Sequence, residues 1–342
     1  MAPEEGRRIA ITGVSGHWGS EIARRLARDP RVSYVVGIDT HAPPGDVGEV
    51  DFIEADLRGA LISRLLPSTE VDTVVHCGIL WYPEPGKPAR SLHDFNVIGT
   101  LQLLAACERT PTLERVVVRG SAAIYGCEGA APLFFPEELA GEMPLRTRFQ
   151  RDVSELESYF ENFARRHPEI SSCMLRFQPE IGADLDTPLV RYLSLPVVPT
   201  QLGYDPRLQL LDADDATGAL EAAVWGDIRG PVNIAPSGAL SLSRILRIGG
   251  RPSLPIPHPL FGPALERLGS RLGAGPVVGD AVRLLRYGRG VDNGRMRREL
   301  GFQPKLSAVE AARELMTRLD ARRIGPPLHP GIALARLAGS GR

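Results

Sequence analysis

The stretch Thr12-Gly13-Val14-Ser15-Gly16-His17-Trp18-Gly19 decides the fold. It succeeds an apolar run over 8–11 that reads as a buried strand, and it opens a helical pattern over 18–28. Glycines at 13, 16 and 19 suit a strand-to-helix turn that cradles a dinucleotide. Gly13 permits the tight turn, Gly16 lets backbone approach a pyrophosphate, and Gly19 lets the helix pack closely on the strand. The pyrophosphate then rests on the helix N-terminus. Ser15, His17 and Trp18 join the glycines as candidate cofactor contacts, His17 as a group within reach of a phosphate. A bare turn would explain the glycines but not the acidic residue placed downstream of them. The second strand, 32–38, leads to Asp39, 20 positions after Gly19, where the ribose hydroxyls of NAD are expected. Thr40-His41-Ala42 offers no arginine for a 2′-phosphate and Asp39 repels one, so NAD is expected over NADP.

Working outward, further strands are expected at 71–77, 115–119 and 172–177, with helices at 91–107 and 147–166 between them. Alternation of this kind means an α/β fold, a doubly wound parallel sheet of the Rossmann type with helices on both faces. Ligands of such sheets bind at the carboxyl ends of the strands. After residue 183 the texture shortens and is broken by Pro and Gly. The segment 251–263, with five prolines, reads as a connection, because proline excludes a regular helix or a central strand. Helical patterns resume at 264–272, 277–286 and 306–318. The expected division is a dinucleotide-binding domain over 1–183 with returning elements near 205–235, a smaller substrate domain mainly over 184–325, and a tail over 326–342.

Composition narrows the function. Of 342 residues 43% are hydrophobic and 24% charged, with 40 Lys+Arg against 41 Asp+Glu, which is the balance of a globular protein and not of a nucleic-acid binder. No apolar run approaches the ~20 residues of a membrane span, and the first residues lack the apolar core of a secretory signal. A cytoplasmic protein with a small-molecule substrate is expected. Cys77, Cys107, Cys127 and Cys173 are too scattered for a redox or metal motif and read as buried thiols. The seven histidines show no ligand spacing, so no metal site is expected. Ser121 lies outside any G-x-S-x-G elbow.

The sequence resembles the extended short-chain dehydrogenase/reductases, the NAD-dependent epimerase/dehydratase family, over residues 8–318. Asp56-Leu57 looks like the family's acidic pair beside adenine. His76-Cys77-Gly78 looks like the segment that runs along the cofactor, and Asn96-Val97-Ile98-Gly99-Thr100 like its Asn-Val-x-Gly-Thr helix motif. In Gly120-Ser121-Ala122-Ala123-Ile124-Tyr125-Gly126 the resemblance implies that Ser121 faces the substrate. Leu210-Leu211-Asp212-Ala213-Asp214-Asp215, Val232-Asn233-Ile234 and Leu300-Gly301-Phe302-Gln303-Pro304 resemble landmarks of the substrate side. The match leans to a subgroup labelled UDP-glucose 4-epimerase-like, and the family allows a homodimer through two exposed helices.

The chemistry departs from that resemblance. Family members that move a hydride use a Tyr-x-x-x-Lys pair on one helix face, the tyrosine exchanging the substrate proton. No tyrosine here has lysine four residues on, and the only lysines are Lys87 and Lys305. By family spacing Phe149 and Val153 fill the two positions. With Leu156, Phe160 and Phe163 they form a stripe at helical spacing, expected to be core. Pro179 stands where the family places an asparagine that contacts the nucleotide sugar. Three readings stay open: an NAD-using enzyme, acting on a small or nucleotide-linked hydroxyl or carbonyl substrate, whose proton is handled by another group; a scaffold or sensor that binds NAD or a metabolite; and a non-redox lyase or cyclase. For the first, Ser121, Tyr125, His76 and Cys77 are expected near the pocket rim and Tyr82 on a substrate loop. Each also has a plain packing role.

Overall fold

A computed structural model describes residues 6–80, 90–182, 184–271 and 280–323. Tyr82, Lys87 and the expected tail over 326–342 lie outside the described residues. Seven parallel strands form the central sheet: β1 Arg7–Thr12, β2 Val32–Asp39, β3 Asp51–Glu54, β4 Thr73–His76, β5 Arg115–Ser121, β6 Ser171–Phe177 and β7 Gly230–Ile234. Their order is β7-β6-β5-β4-β1-β2-β3. Every residue of β4, β5 and β6 is buried, as a parallel strand covered on both faces must be. The sequence reading missed β3, whose Asp-Phe-Ile-Glu is half polar because it forms the sheet edge.

Among the described residues the sheet is covered mainly by α1 His17–Leu26, α2 Ile62–Ser68, α3 Gly99–Cys107, α4 Arg148–Arg166 and α5 Ala213–Trp225. On one face Ile22, Ala23 and Leu26 of α1 pack with Ala219, Leu220, Ala223 and Val224 of α5. On the other, Leu66, Leu103, Leu156, Phe160 and Phe163 join α2, α3 and α4. The helix expected over 91–107 is interrupted by a π-turn at Asp94–Ile98, which leads into α3. At the start of α4 the Thr147 hydroxyl accepts from Gln150 N while Gln150 Oε1 accepts from Thr147 N, a capping box that fixes the helix where it meets the cleft.

A third cluster, with Leu189, Leu193, Leu208, Ile245, Leu285 and Leu315 among its members, forms beyond the end of β6. Here 251–263 is more than a connection. Ser253–Ile256 pairs in parallel with Val198–Gln201. Proline is tolerated because this sheet has two strands and each is an edge. Helices at Phe261–Arg271, Asp280–Tyr287 and Ala308–Arg323 complete this region. No helix among the described residues is long and apolar enough to cross a membrane.

Candidate functional site

The strand order reverses between β1 and β4, and the glycine loop lies at that point, where doubly wound sheets bind their ligands. Gly13 has φ +74°, and a Cβ there would stand 2.6 Å from the Gly78 backbone. At Gly19 a Cβ would stand 2.1 Å from Gly13 O, so α1 seats on the loop only with glycine. Gly16 differs, since its nearest neighbour is Gly13 O at 3.4 Å and the space before it is open. No side chain caps α1, which leaves its first N–H groups to an incoming anion. Asp39 ends β2 as expected. Its Oδ2 accepts from Ser15 N at 3.0 Å and its Oδ1 from Thr40 N at 2.7 Å, while the Ser15 hydroxyl donates to His41 O. Asp39 therefore braces the loop, and its carboxylate retains lone pairs for hydroxyl donors. These residues fit the adenosine and pyrophosphate half of a dinucleotide.

Other expected contacts act by shaping backbone. Asn96 is fully buried and clamps Leu80, accepting from its N at 2.8 Å and donating to its O at 2.7 Å. Leu57 packs in the core, and Asp56 takes the Arg58 guanidinium. The His76 ring turns away from the cleft, between Thr12 Oγ1 at 2.6 Å and Thr100 Oγ1 at 3.0 Å. Burial lowers its pKa to about 4. The Cys77 thiol lines the cleft but is pushed up to about 12 by burial, which leaves it protonated and inert.

His76 gives a pH signature. An unfolded histidine takes up its proton near 6.5 and this one only near 4, so the unfolded chain binds more protons between those values. The stabilising contribution is complete above pH 6.5 and is lost as pH falls toward 4, at up to about 1.4 kcal/mol per unit. Glu157 and Glu180, raised by burial, act with the opposite sign. Comparing urea midpoints isolates the histidine: the gap between wild type and His76→Gln should narrow by that slope from pH 6.5 to 4, and a constant gap would refute it.

Ser121 and Tyr125 are not at the rim, which corrects the sequence expectation. Ser121 is buried and its Oγ accepts from Ala123 N at 3.1 Å, capping the short helix Ala122–Tyr125. Tyr125 is fully buried, stacked on Phe135 at 4.9 Å. Its hydroxyl donates to Asn233 Oδ1 at 2.7 Å and accepts from Arg176 Nη1 at 2.6 Å. Burial, partly offset by Arg176, raises its pKa to about 12. Arg176 also pairs with buried Glu157 and donates to Glu137 O at 2.8 Å. This network fastens β6 to α4 and β7.

The cleft itself is a cavity of about 560 Å³ beside the glycine loop, lined by Gly13, Gly16, His17, Trp18 and Gly19 on one side and by α4 and the C-terminal region on the other. Phe149 is a second correction. Val153, Leu156, Phe160 and Phe163 are core, but Phe149 is half-buried and lines the cavity, because the first turn of α4 overhangs the cleft. Sequence reasoning missed the polar groups of the wall. Asp152 is 5% exposed, with Oδ1 2.9 Å from His93 Nδ1. Buried Arg119 donates to Glu180 Oε1 at 2.5 Å and lies 4.6 Å over the Trp18 ring. Buried Arg289 stands 3.6 Å from Asp280. A signal existed for one pair: Arg119 comes after Val116-Val117-Val118 in a strand that must be buried, so it demands a partner.

A family model described as the NAD-dependent epimerase/dehydratase family matches residues 9–190. An uncharacterized protein of Mycobacterium tuberculosis is 36% identical over 99% of this chain and 92% of its own length. A second uncharacterized protein of that organism is 30% identical over 92% of this chain, which spans only 30% of that longer protein. Among solved structures, a UDP-glucose 4-epimerase of Stenotrophomonas maltophila with bound NAD aligns at TM-score 0.70 and 17% identity, covering 93% of this chain and 99% of that one. The UDP-glucose 4-epimerase of Thermotoga maritima with UDP-glucose aligns at 0.68 and 19%, covering 92% and 99%. At these identities the structures share the fold.

Proposed function

The chain belongs to the NAD-dependent epimerase/dehydratase family, and we propose that within it this protein is an atypical NAD-dependent oxidoreductase of a small molecule, working without the tyrosine–lysine pair. The observation that carries this reading is the junction of an intact dinucleotide cradle with a cavity that has a buried carboxylate, Asp152, on its wall. NAD, when bound, accepts or returns a hydride at its nicotinamide ring. The protein's own residues divide the remaining tasks. Gly13 and Gly19 shape the loop, Gly16 admits the pyrophosphate, Asp39 selects the ribose hydroxyls, and the apolar walls exclude water from the ligand. Asp152 stands three residues after Phe149 on the same helix face and can exchange a proton with the ligand. His93, partly exposed, links it toward solvent.

A second reading, an NAD-holding scaffold without turnover, is favoured by Phe149 filling the tyrosine position and by the engaged hydroxyl of Tyr125. Mass and absorbance of the purified protein for bound NAD(H), then calorimetric titration, test the shared premise. NAD should bind at least about tenfold tighter than NADP, a gap of ~1.4 kcal/mol. Asp39→Ala should close most of that gap by losing NAD affinity. No affinity for either dinucleotide would sink both readings. With NAD bound, growth of the reduced nicotinamide band on screening small alcohols supports the oxidoreductase, and a silent screen across ligands that bind supports the scaffold.

A further inference from the structure

We infer that one face of the C-terminal region, outside the cavity, docks on an anionic lipid surface. Among the described residues, Val197, Leu202, Tyr204, Leu254 and Leu260 are large apolar side chains exposed to solvent. They belong to one place. Val198–Gln201 pairs with Ser253–Ile256, Leu202 N donates to Ile256 O at 2.9 Å where the two strands end, and Leu260 N closes the next turn on Pro257 O at 3.0 Å. Leu202 and Leu260, 57% and 60% exposed, are the tips of these two adjoining loops. Beside them the Arg286 guanidinium lies 4.9 Å over the Tyr204 ring and 4.8 Å over the Tyr287 ring, and its Nη2 donates to the Tyr204 hydroxyl at 3.2 Å. Exposed leucines flanked by tyrosine and arginine suit the headgroup boundary of a bilayer. There the leucines enter the acyl region, the phenol stays at the polar level and the guanidinium meets phosphate.

Charge commits the face to an anionic partner. Residues 244–342 carry 18 Lys+Arg against 7 Asp+Glu, whereas 1–243 carry 22 against 34, so a nearly neutral chain is strongly polarised along its length. The parts of 244–342 outside the described residues, 272–279 and 324–342, contribute Arg336 and Arg342 and no Asp or Glu. Near Tyr204, Arg207 and Arg244 are exposed. The neighbouring carboxylate of Asp205 is tied down by Ser243, accepting from its N at 2.9 Å and its Oγ at 2.6 Å. Backbone chemistry argues for lipid over a protein strand. Pro252 O and Ile256 O accept from Val198 N and Leu202 N, so residues 252, 254 and 256 turn their backbone groups inward and 253, 255 and 257 turn theirs outward. Two of those outward residues are proline, Pro255 and Pro257, so the open edge offers one N–H over that length and cannot template another strand. Contact is left to side chains, and these are apolar or cationic.

Cosedimentation of the full chain with sucrose-loaded vesicles tests this. Vesicles of phosphatidylcholine with ~30% phosphatidylglycerol should bind wild type about tenfold or more tighter than phosphatidylcholine alone. Raising NaCl from about 0.1 M to about 0.5 M should remove most of that difference. Leu202→Ser combined with Leu260→Ser should weaken binding to the anionic vesicles about tenfold or more, and Arg286→Ala about fivefold. Neither leucine lines the cavity, so the double variant should keep the wild-type urea midpoint and NAD isotherm, which separates lost docking from lost fold. No binding to the anionic vesicles, equal binding to both kinds, or a double variant that binds like wild type overturns the inference. A wild type that is dimeric by light scattering and monomeric in the double variant also overturns it, by giving the face to a second copy of the chain. The dinucleotide is read separately. A protein that docks on vesicles and takes up no NAD sinks the proposed oxidoreductase and leaves the docking face standing, whereas one that binds NAD and ignores the vesicles does the reverse.

Discussion

Arg176→Ala should cost about 3–5 kcal/mol of folding stability, seen as a large fall in the urea midpoint with an intact baseline at low denaturant. The arginine and its partner Glu157 are both almost fully enclosed, and removing one member of such a pair leaves the other charge buried without compensation. Burial already pushes the Glu157 carboxyl above its ordinary range against the pull of Arg176, so the variant relieves itself by protonating Glu157. Its deficit should then shrink as pH is lowered. The double variant Arg176→Met with Glu157→Leu should recover most of the loss, because two apolar groups of similar volume replace a pair whose desolvation nearly cancels its attraction. Recovery stays incomplete, since Glu137 O and the Tyr125 hydroxyl lose the Nη1 donor they share. A double variant as unstable as the single would show that the loss lies in the bonds Nη1 makes to Glu137 O and the Tyr125 hydroxyl, and not in an unpaired Glu157 charge.

The same network explains which parts of the site were legible. Glycine spacing and Asp39 were readable because each position answers a local backbone demand: positive φ at Gly13, contact with the loop at Gly19, the end of a strand at Asp39. Periodicity likewise located β1, β2, β5, β6, α1 and α4 within a residue or two. The strand β3 and helix α2 were not readable, the first for its half-polar edge and the second for Pro67 in its last turn. Side-chain direction was the larger gap. The sequence places Tyr125 four residues after Ser121 but does not say that its hydroxyl turns inward to Arg176 and Asn233. Nor does a stripe at helical spacing say where the cleft opens. Phe149 belongs to the same stripe as Phe160, yet one faces a cavity and the other the core. The pairs His93–Asp152 and Arg119–Glu180 join residues 59 and 61 positions apart, and only the topology brings them together.

Two alanines in the glycine loop should separate folding from binding. Gly19→Ala puts a Cβ 2.1 Å from Gly13 O and 2.7 Å from Val14 Cα, both backbone atoms of the loop that cannot rotate away. Helix α1 must lift off β1, and the contacts of Ile22, Ala23 and Leu26 with α5 loosen with it. A loss of about 3 kcal/mol, at the upper end of overpacking, is expected in the urea midpoint. Gly16→Ala meets only Gly13 O at 3.4 Å, and φ there is −81°, so the midpoint should move by less than about 0.5 kcal/mol. Its methyl group instead fills the space through which a pyrophosphate would reach the first N–H groups of α1. NAD affinity in Gly16→Ala should fall about tenfold or more, a loss of ~1.4 kcal/mol. The reverse pattern, full NAD affinity in a stable Gly16→Ala protein, would move the dinucleotide off this loop. Because Gly16 bears no structural load, its effect on binding measures the cradle itself.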